Sequence, residues 1–277
     1  MSLNYEKVIS DALLEDMPQG IDITSECLID KNKKSEFNLV VNEDAILAGI
    51  NVFSDAFHNI DNGISIKTMY KDGDKINKRQ IIANLYGSTL NILKAERVAL
   101  NFLCHLSGIA TCARKMVDLI KETSVVLLDS RKTTPLIRKF EKDAILAGGA
   151  KNHRFNLGEM FLVKDNHIAS CGGVINALTK VKKYFNGKYK IEIEVSSIKE
   201  LEEAISLKPD IIMFDNWKVD ELKAAVKLVP PDILTEASGQ IMPENILDYA
   251  SSGVKFISSS YMIKNAKWVD FSLECLN

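Results

Sequence analysis

The 277-residue sequence lacks the features that mark several common classes of protein. No apolar run approaches the roughly 18 to 20 residues that a membrane-spanning helix requires. No G-x-G-x-x-G follows an apolar run, which weakens a dinucleotide-binding interpretation. Positive charge is not in excess, because the formal net charge is -2 and the pI is about 6.1, whereas nucleic-acid binders usually carry a broad basic face. We therefore expect neither a membrane nor a nucleic-acid partner.

Secretory features are absent too. The five cysteines are scattered and contain no C-x-x-C pair, which indicates reduced thiols rather than a disulfide framework. The first 16 residues, MSLNYEKVISDALLED, are mixed polar and acidic, without the basic and then apolar build of a signal peptide. Apolar residues make up 46% and charged residues 26%, as in ordinary globular proteins. These observations predict a cytoplasmic location.

The second half of the chain alternates between short apolar runs and helix-like segments. The runs end in polar or charged residues and cover 125–129, 160–164, 191–195, 211–215, 233–238 and 255–260. Helical patterns lie between them at 141–147, 174–184, 198–207, 219–228 and 244–250. This alternation predicts parallel strands with helical crossovers and favours a (β/α) barrel, with its active site at the strand carboxyl ends. Six units are fewer than eight, so we expect an open barrel.

The first hundred residues have a different pattern. Apolar alternation at 37–41, 64–70 and 81–87, with turn signals between, predicts a small sheet, and residues 88–105 form a long helical pattern. We predict an α/β sandwich-like N-terminal domain over 1–108 and the barrel over 109–265. The tail, 266–277, is a candidate to return to the N-terminal domain.

Positive charge is concentrated between Asp129 and Arg154, where seven basic residues accompany three acidic ones. Arg131 and Lys132 follow a predicted strand directly. A guanidinium binds a carboxylate through two parallel hydrogen bonds, lysine suits phosphate, and the hydroxyl of Ser130 can complete an anion's shell. The cluster predicts a small anionic ligand, and a solvated basic loop is the alternative.

Three more basic side chains follow helix or strand ends. His153 and Arg154 lie in the loop after a Gly-Gly helix stop, and Lys164 ends the run 160–164. His167 lies just beyond. A lone histidine is commonly a hydrogen-bonded structural residue, so both readings of His153 and His167 stay open.

Arg97 lies within the long helical pattern. At helical spacing it shares a face with Leu93, Leu100 and Cys104, so it interrupts an apolar stripe and has no carboxylate three or four residues away. We expect its partner to come from another element, another subunit or a ligand.

Two carboxylates end consecutive predicted strands. Glu194 and Asp215 lie one repeat apart and should meet at the barrel mouth, either as ion-pair partners of lysines or as ligands of Mg²⁺, which prefers one or two carboxylates plus phosphate oxygens. Glu192 lies on the same strand face as Glu194, and we expect it to pair with a lysine inside the barrel. Further on, Ser238 and Gly239 form a turn that can offer backbone N–H groups to a phosphate.

Several stretches closely resemble the quinolinate phosphoribosyltransferase family, also called carboxylating nicotinate-nucleotide pyrophosphorylase. The resemblance covers nearly the whole chain. Its segments are LLEDMPQGIDITSE (13–26), ILAG (46–49), AERVALNFLCHLSGIAT (95–111), DSRKTTP (129–135), NHRFNLGEMFLVKDNHI (152–168), IEIEV (191–195), IIMFDN (211–216) and EASG (236–239).

The resemblance implies phosphoribosyl transfer from phosphoribosyl pyrophosphate to quinolinate with decarboxylation, giving nicotinate mononucleotide, pyrophosphate and CO₂ in de novo NAD biosynthesis. It implies Mg²⁺ and no organic cofactor. It also implies a subunit of two domains, assembled as a homodimer or higher oligomer with sites at the subunit junction.

The resemblance also implies roles for individual residues. Quinolinate binding falls to Arg97 of a neighbouring subunit and to Ser130, Arg131, His153 and Arg154. Lys132 and Lys164 lie between the two substrates, and Glu194 and Asp215 bind the ribose and Mg²⁺, directly or through water. The donor's phosphate end involves Ser238, Gly239, Gln240, Ser259 and Ser260.

The chain departs from the family pattern at several positions. Leu136, Ala150 and Gln240 stand where glycine is usual, and residues 260–265, SYMIKN, replace a segment that usually reads GALTHS. Lys264 is a candidate substitute for the missing histidine. The changes at Gln240 and 260–265 bear on donor binding.

Three other functions stay open. One is a related phosphoribosyltransferase that acts on another anionic heterocycle. Another is a barrel lyase in which Lys164 forms a Schiff base. The third is a non-catalytic anion sensor, which the departures at Gln240 and Ser260 leave open.

Overall fold

A computed structural model describes residues 5–184 and 187–276. The described residues form two compact units. Among these residues, the first unit comprises 5–114, 133–149 and 262–276, and the second comprises 115–132, 150–184 and 187–261.

The first unit is built on antiparallel sheets. Its strands are β1 (Lys34–Val41), β2 (Ala45–Ile46), β3 (Ser65–Thr68), β4 (Lys75–Ile76), β5 (Ile81–Ser88) and β12 (Phe271–Leu276). The larger sheet has the order β12-β1-β5-β3, so a strand from the end of the chain pairs with β1, and β2 pairs with β4. Phe37, Leu39 and Val41 alternate inward along β1 and are buried, as expected for a sheet with one covered face.

The first unit also contains helices. They are α1 (Tyr5–Asp16), α2 (Ile23–Leu28), α3 (Ile50–Ile60), α5 (Arg138–Ala147) and most of α4 (Thr89–Leu119). Asp22 caps α2 by accepting the N–H groups of Thr24 and Ser25. Gly49 precedes α3 with φ +88°, and a Cβ there would lie 2.6 Å from Leu106, so glycine is required.

The second unit is a curved sheet of six parallel strands. The strands are β6 (Val126–Leu128), β7 (Phe161–Val163), β8 (Ile191–Val195), β9 (Ile211–Asp215), β10 (Leu234–Ser238) and β11 (Phe256–Ser258). Their order is β6-β11-β10-β9-β8-β7, and every described pairing is parallel. The two edge strands, β6 and β7, do not pair with each other in the described residues. The predicted open barrel of six strands is therefore confirmed.

The helices of the second unit follow its strands. They are α6 (Asp165–Cys171), α7 (Val174–Tyr184), α8 (Ile198–Ser206), α9 (Val219–Val226) and α10 (Ile246–Ala250), and the short α11 (Tyr261–Lys264) begins here. Ser197 caps α8 by accepting the N–H of Glu200. Most predicted elements recur within a few residues, but α4 runs 14 residues beyond the predicted helix end at residue 105, and α6 was not predicted. No helix in the described residues has both the length and the apolar character needed to cross a bilayer.

Candidate active site

A cavity of about 430 Å³ lies at the carboxyl ends of the barrel strands. Nine of the residues singled out from the sequence line it: Ser130, Arg131, Lys132, His153, Arg154, Lys164, Glu194, Asp215 and Ser238. Five further residues complete the lining: Asp129, Leu162, Asp165, Met213 and Ser258. The parallel register explains the convergence, because Glu194 pairs with Met213 and Asp215 with Ser238 on adjoining strands.

Three cations in this cavity have no acidic partner. Arg131, Lys132 and Arg154 form no ion pair within 4.0 Å among the described residues. The Nε atoms of both arginines are buried without a hydrogen-bond acceptor, and Arg154 donates from Nη1 only to the carbonyl of Met160, at 3.1 Å. Burial, and then the neighbouring charge of Arg131, lower the pKa of Arg154. The arrangement favours an incoming anion that neutralises both guanidinium groups.

Lys164 is already paired with Glu194. Its Nζ donates to a carboxylate oxygen of Glu194, and the ammonium remains partly exposed to the cavity. Burial raises the pKa of Glu194, Lys164 lowers it, and the nearby charge of Asp215 raises it again. Asp215 itself accepts a hydrogen bond from the side-chain amide of Asn216 at 2.7 Å. The two carboxylates therefore lie close enough to repel each other at the cavity.

Both ring nitrogens of His153 face protein atoms. Nδ1 accepts the backbone N–H of Arg154 at 2.8 Å, and Nε2 lies 3.0 Å from Glu192 and 3.7 Å from Glu236. The backbone N–H of His153 donates to Asp129 at 2.8 Å. Burial lowers the pKa of His153, but Glu192, Glu236 and Asp129 together raise it above its ordinary value. The ring lines the cavity while its polar atoms bond to the barrel.

Two glutamates lie inside the barrel below the cavity. Glu192 and Glu236 are fully buried, and both carboxyl groups face the Nε2 of His153, at 3.0 and 3.7 Å. Burial, and then the charge of Glu192, raise the pKa of Glu236 to about 8, so it is largely protonated at neutral pH. The prediction that Glu192 pairs with a lysine is wrong, since the close charged contact of Glu192 is His153. Sequence reasoning missed Glu236, although its spacing of two from Ser238 repeats that of Glu192 and Glu194.

The three side chains of His153, Glu192 and Glu236 have the spacing of a metal site, with ligand atoms within 4.8 Å of one another. The hydrogen bonds of His153 oppose that interpretation. Because Nδ1 accepts an N–H, the ring proton belongs on Nε2, the nitrogen that faces the carboxylates. A metal bound at Nε2 would displace the only ring proton, so His153 would have to bind it as an imidazolate anion. The residues do not fit a metal.

The predicted phosphate turn is shaped by a close backbone approach. Asn216 donates its N–H to the carbonyl of Ser238 at 2.9 Å, and a Cβ on Gly239 would lie 2.8 Å from the Asn216 nitrogen. Glycine is therefore required at 239. Gln240 adopts φ +51°, and its exposed side chain does not line the cavity.

The last barrel strand supplies a different serine from those predicted. Ser258, at the end of β11, lines the cavity, whereas Ser259 and Ser260 do not. The hydroxyl of Ser259 donates to the carbonyl of Ile241 at 2.6 Å and accepts the N–H of Tyr261 at 3.1 Å. Its role is structural in this geometry.

Three predicted candidates lie apart from this lining. Arg97 is in the first unit, and the expectation that it turns toward a buried face is wrong, because its side chain is exposed. It forms no ion pair among the described residues. Lys264 is exposed at the end of α11. His167 accepts the backbone N–H of Lys164 at 3.1 Å and thereby caps α6.

A larger cavity of about 540 Å³ lies in the first unit, but its chemistry differs. Ala12, Val98, Phe102 and Trp268 give it an apolar wall, Glu15 and Asp16 add acidic groups, and no lysine or arginine lines it. Such a lining repels anions. The smaller cavity of the barrel is therefore the candidate active site.

Comparison with known families assigns both halves of the chain. Residues 22–107 match the family model described as the N-terminal domain of quinolinate phosphoribosyl transferase, and residues 109–274 match the C-terminal domain of the same family.

Individual relatives agree over the whole length. A probable carboxylating nicotinate-nucleotide pyrophosphorylase of Bacillus subtilis is 36% identical over 272 residues, covering 98% of this chain and 93% of the relative. The solved nicotinate-nucleotide pyrophosphorylase of Francisella tularensis is 36% identical with a TM-score of 0.93, covering 98% and 96% of the two chains. NadC of Streptococcus pyogenes is 33% identical with a TM-score of 0.94, and both chains are covered completely.

Proposed function

The chain belongs to the quinolinate phosphoribosyltransferase family, and we propose that it converts quinolinate and phosphoribosyl pyrophosphate into nicotinate mononucleotide, pyrophosphate and CO₂ at the barrel cavity. The observation that carries this proposal is the set of Arg131, Lys132 and Arg154, which line one cavity and form no ion pair within 4.0 Å among the described residues. Such a set requires a ligand with several negative charges.

The two arginines suit the acceptor. Quinolinate carries two carboxylates, and a guanidinium binds each through paired hydrogen bonds. The charge of Arg131 lowers the pKa of Arg154, and the buried Nε donors of both arginines have no acceptor among the described residues. Binding the dicarboxylate would relieve both the repulsion and the missing hydrogen bonds. Lys132 then remains for the donor's phosphates.

Charge placement accounts for the chemistry. The acceptor nitrogen attacks C1 of the donor as pyrophosphate leaves, and positive charge develops on the sugar ring. Glu194 and Asp215, both on the cavity wall, stabilise that charge, while Lys132 and Lys164 neutralise the departing group. The ribosylated ring nitrogen is cationic, so it accepts the electron pair released when the neighbouring carboxylate leaves as CO₂.

Mg²⁺ fits the same pair of carboxylates. Glu194 and Asp215 face one cavity and repel each other, and Mg²⁺ favours one or two carboxylates with substrate phosphate oxygens. Bound there, directly or through water, the ion would supply charge neutralisation for the diphosphate.

The donor's 5'-phosphate is assigned to the ends of β10 and β11. Ser238 and Ser258 place hydroxyls on the cavity wall there, and the turn at Gly239 brings backbone close to the same edge. Ser259 holds the segment after this turn through its hydrogen bond to the carbonyl of Ile241, and Gln240 and Ser260 lie outside the cavity lining.

The enzyme is further proposed to act as a homodimer or higher oligomer in the cytoplasm, with Arg97 completing the site of a neighbouring subunit. Arg97 supports this, because its guanidinium is exposed and has no ion-pair partner among the described residues. A cytoplasmic location agrees with the absence of a disulfide at Cys27, Cys104, Cys171 and Cys275.

A turnover assay tests the reaction. Purified protein with quinolinate, phosphoribosyl pyrophosphate and Mg²⁺ should release CO₂ and nicotinate mononucleotide in equal amounts, and Lys164→Ala should remove most of that activity. Lys151→Ala, an exposed change outside the cavity lining, serves as the control. Product from a different anionic heterocycle alone would indicate a related transferase. Trapping of a carbonyl substrate on Lys164 by borohydride would indicate a lyase, and binding without turnover would indicate a sensor.

A further inference from the structure

Both ring nitrogens of His153 contact protein atoms, the backbone N–H of Arg154 at Nδ1 and the carboxylate of Glu192 at Nε2. The donor at Nδ1 is a backbone N–H, so in this orientation of the ring Nδ1 offers its lone pair. The neutral ring then carries its proton on Nε2, which lies 3.0 Å from Glu192. The Arg154 N–H on one side and the Glu192 carboxylate on the other therefore favour the same orientation and tautomer of the ring.

The same contacts connect the barrel floor to the substrate cavity. Arg154 follows His153 directly, and its backbone N–H is the group that Nδ1 accepts. The backbone of His153 is in turn held by Asp129 at 2.8 Å. If the ring turned over, the backbone N–H of Arg154 would lose its acceptor. The backbone from which the Arg154 side chain extends would then no longer be held in place.

The raised pKa of Glu236 reduces the repulsion between the two buried carboxyl groups. Two ionised carboxylates this close in a buried space would repel strongly, and burial together with Glu192 raises the pKa of Glu236 to about 8. Glu192 also raises the pKa of Arg154, whose guanidinium is otherwise penalised by burial and by the neighbouring charge of Arg131.

We propose that Glu192, with Glu236 beside it, is a positioning residue that holds His153 in the Nε2–H tautomer and thereby aligns Arg154 with the carboxylates of the acceptor. This inference rests on the proposed function for the identity of the acceptor. It assigns a role to a buried side chain that does not line the cavity.

Two variants separate positioning from folding. Glu192→Met removes the hydrogen-bond acceptor and keeps a similar volume, whereas Glu192→Gln keeps an oxygen that can accept from Nε2. We expect Glu192→Met to raise the KM for quinolinate about tenfold, the loss of one charge-assisted hydrogen bond, with a much smaller change in kcat and in the KM of the donor. Glu192→Gln should restore most of the acceptor affinity. Glu202→Met, an exposed change on α8, is the control.

Nitrogen-15 spectra of histidine-labelled protein provide a readout that does not depend on turnover. The signal of His153, identified by its loss in His153→Gln, should show an unprotonated Nδ1 in the wild type and in Glu192→Gln but not in Glu192→Met. A protonated Nδ1 in the wild type, or equal acceptor KM values for Glu192→Met and the wild type, would overturn the proposal. Inactivity of the wild type on quinolinate would instead refute the proposed function, and the spectra would still decide whether Glu192 holds the ring.

Discussion

At the scale of single residues, the cavity is defined by charges that the protein leaves unpaired. Arg131 and Arg154 lie in one lining and repel each other, since Arg131 lowers the pKa of Arg154. Lys164, by contrast, has Glu194. The two arginines therefore have more to gain from an anionic ligand than the lysine does, and acceptor binding should depend on them most.

Arg154→Ala tests this dependence. We expect the dissociation constant of quinolinate to rise by about a hundredfold, the loss of a bidentate charge-assisted contact, while that of phosphoribosyl pyrophosphate changes little. Calorimetric titration with each substrate measures both. Lys151→Ala, three residues earlier and exposed, should bind both normally. Equal weakening of both substrates by Arg154→Ala would contradict the assignment.

Glu236→Gln tests the buried carboxyl through pH. The native pKa is about 8 against an ordinary 4.5, so between these values the folded protein binds more protons than the unfolded chain. The stability of the wild type should consequently fall as pH rises through that window. Glutamine resembles the protonated acid and should remove this part of the fall, a difference on the order of 4 kcal/mol at most.

Urea unfolding of the two proteins at pH 5 and pH 9 measures the effect. The stabilities should be similar at pH 5, where Glu236 is protonated in the folded state, and Glu236→Gln should be the more stable at pH 9. Parallel pH profiles would show that Glu236 titrates normally in the folded protein.

At the scale of elements, short continuous apolar runs explain which barrel predictions succeeded. Apolar runs that end in a charge placed Lys164, Glu194 and Asp215 correctly at strand ends, because those runs are the buried strands of a parallel sheet. The strand predicted at 255–260 extends two residues beyond the end of β11. Since β11 ends at Ser258, the inward side chain there is Ser258, and Ser259 turns away from the cavity.

Helical periodicity was less decisive for Arg97. The helix α4 has 31 residues, and buried positions such as Ile92, Ala95, Ala99 and Leu103 define its inner face. Leu93 and Cys104, used for the predicted stripe, are only partly buried. A sequence pattern identifies an apolar stripe but does not say which of two neighbouring stripes the sheet covers. The contacts of His153 were equally invisible, because they depend on a loop that returns to the barrel floor.

Leu136 occupies a position where glycine is preferred. Its φ is +71°, in the left-handed region, and its side chain is exposed. We expect Leu136→Gly to stabilise the protein by about 0.5 to 1 kcal/mol, because relief of left-handed strain outweighs the added chain entropy. Leu146→Gly within α5 should instead cost about 1 kcal/mol. Thermal unfolding of both variants measures the contrast, and destabilisation by Leu136→Gly would show that its side chain makes a compensating contact.

Gly239→Ala tests the turn at the phosphate end. Its φ of +95° and the Asn216 nitrogen 2.8 Å from an added Cβ leave no room for alanine. We expect weaker binding of phosphoribosyl pyrophosphate with quinolinate affinity largely kept, because the change displaces the ends of β9 and β10. Gln240→Ala, at the exposed neighbouring position, should have a small effect on donor binding. The reverse order of the two variants would place the phosphate against the Gln240 side chain.

At the scale of the whole molecule, the two units contribute different charges. The second unit contains the cavity with Arg131, Lys132 and Arg154, and the first contains Arg97, exposed on α4; none of the four forms an ion pair among the described residues. An exposed arginine with no anion is ordinary on a surface, but it is also what a site completed by another subunit requires. Mixing two inactive variants distinguishes these alternatives.

Arg97→Ala and Lys164→Ala should each be nearly inactive, yet an exchanged equal mixture should regain about a quarter of wild-type activity, because about half of the dimers are hybrids with one intact site each. The reason is geometric: if Arg97 serves the neighbour's cavity, both defects fall in one site of the hybrid. Exchange is verified by mass measurement of differently tagged subunits. A fully exchanged mixture without activity would place Arg97 in its own subunit's site, and high activity of Arg97→Ala alone would remove it from the reaction.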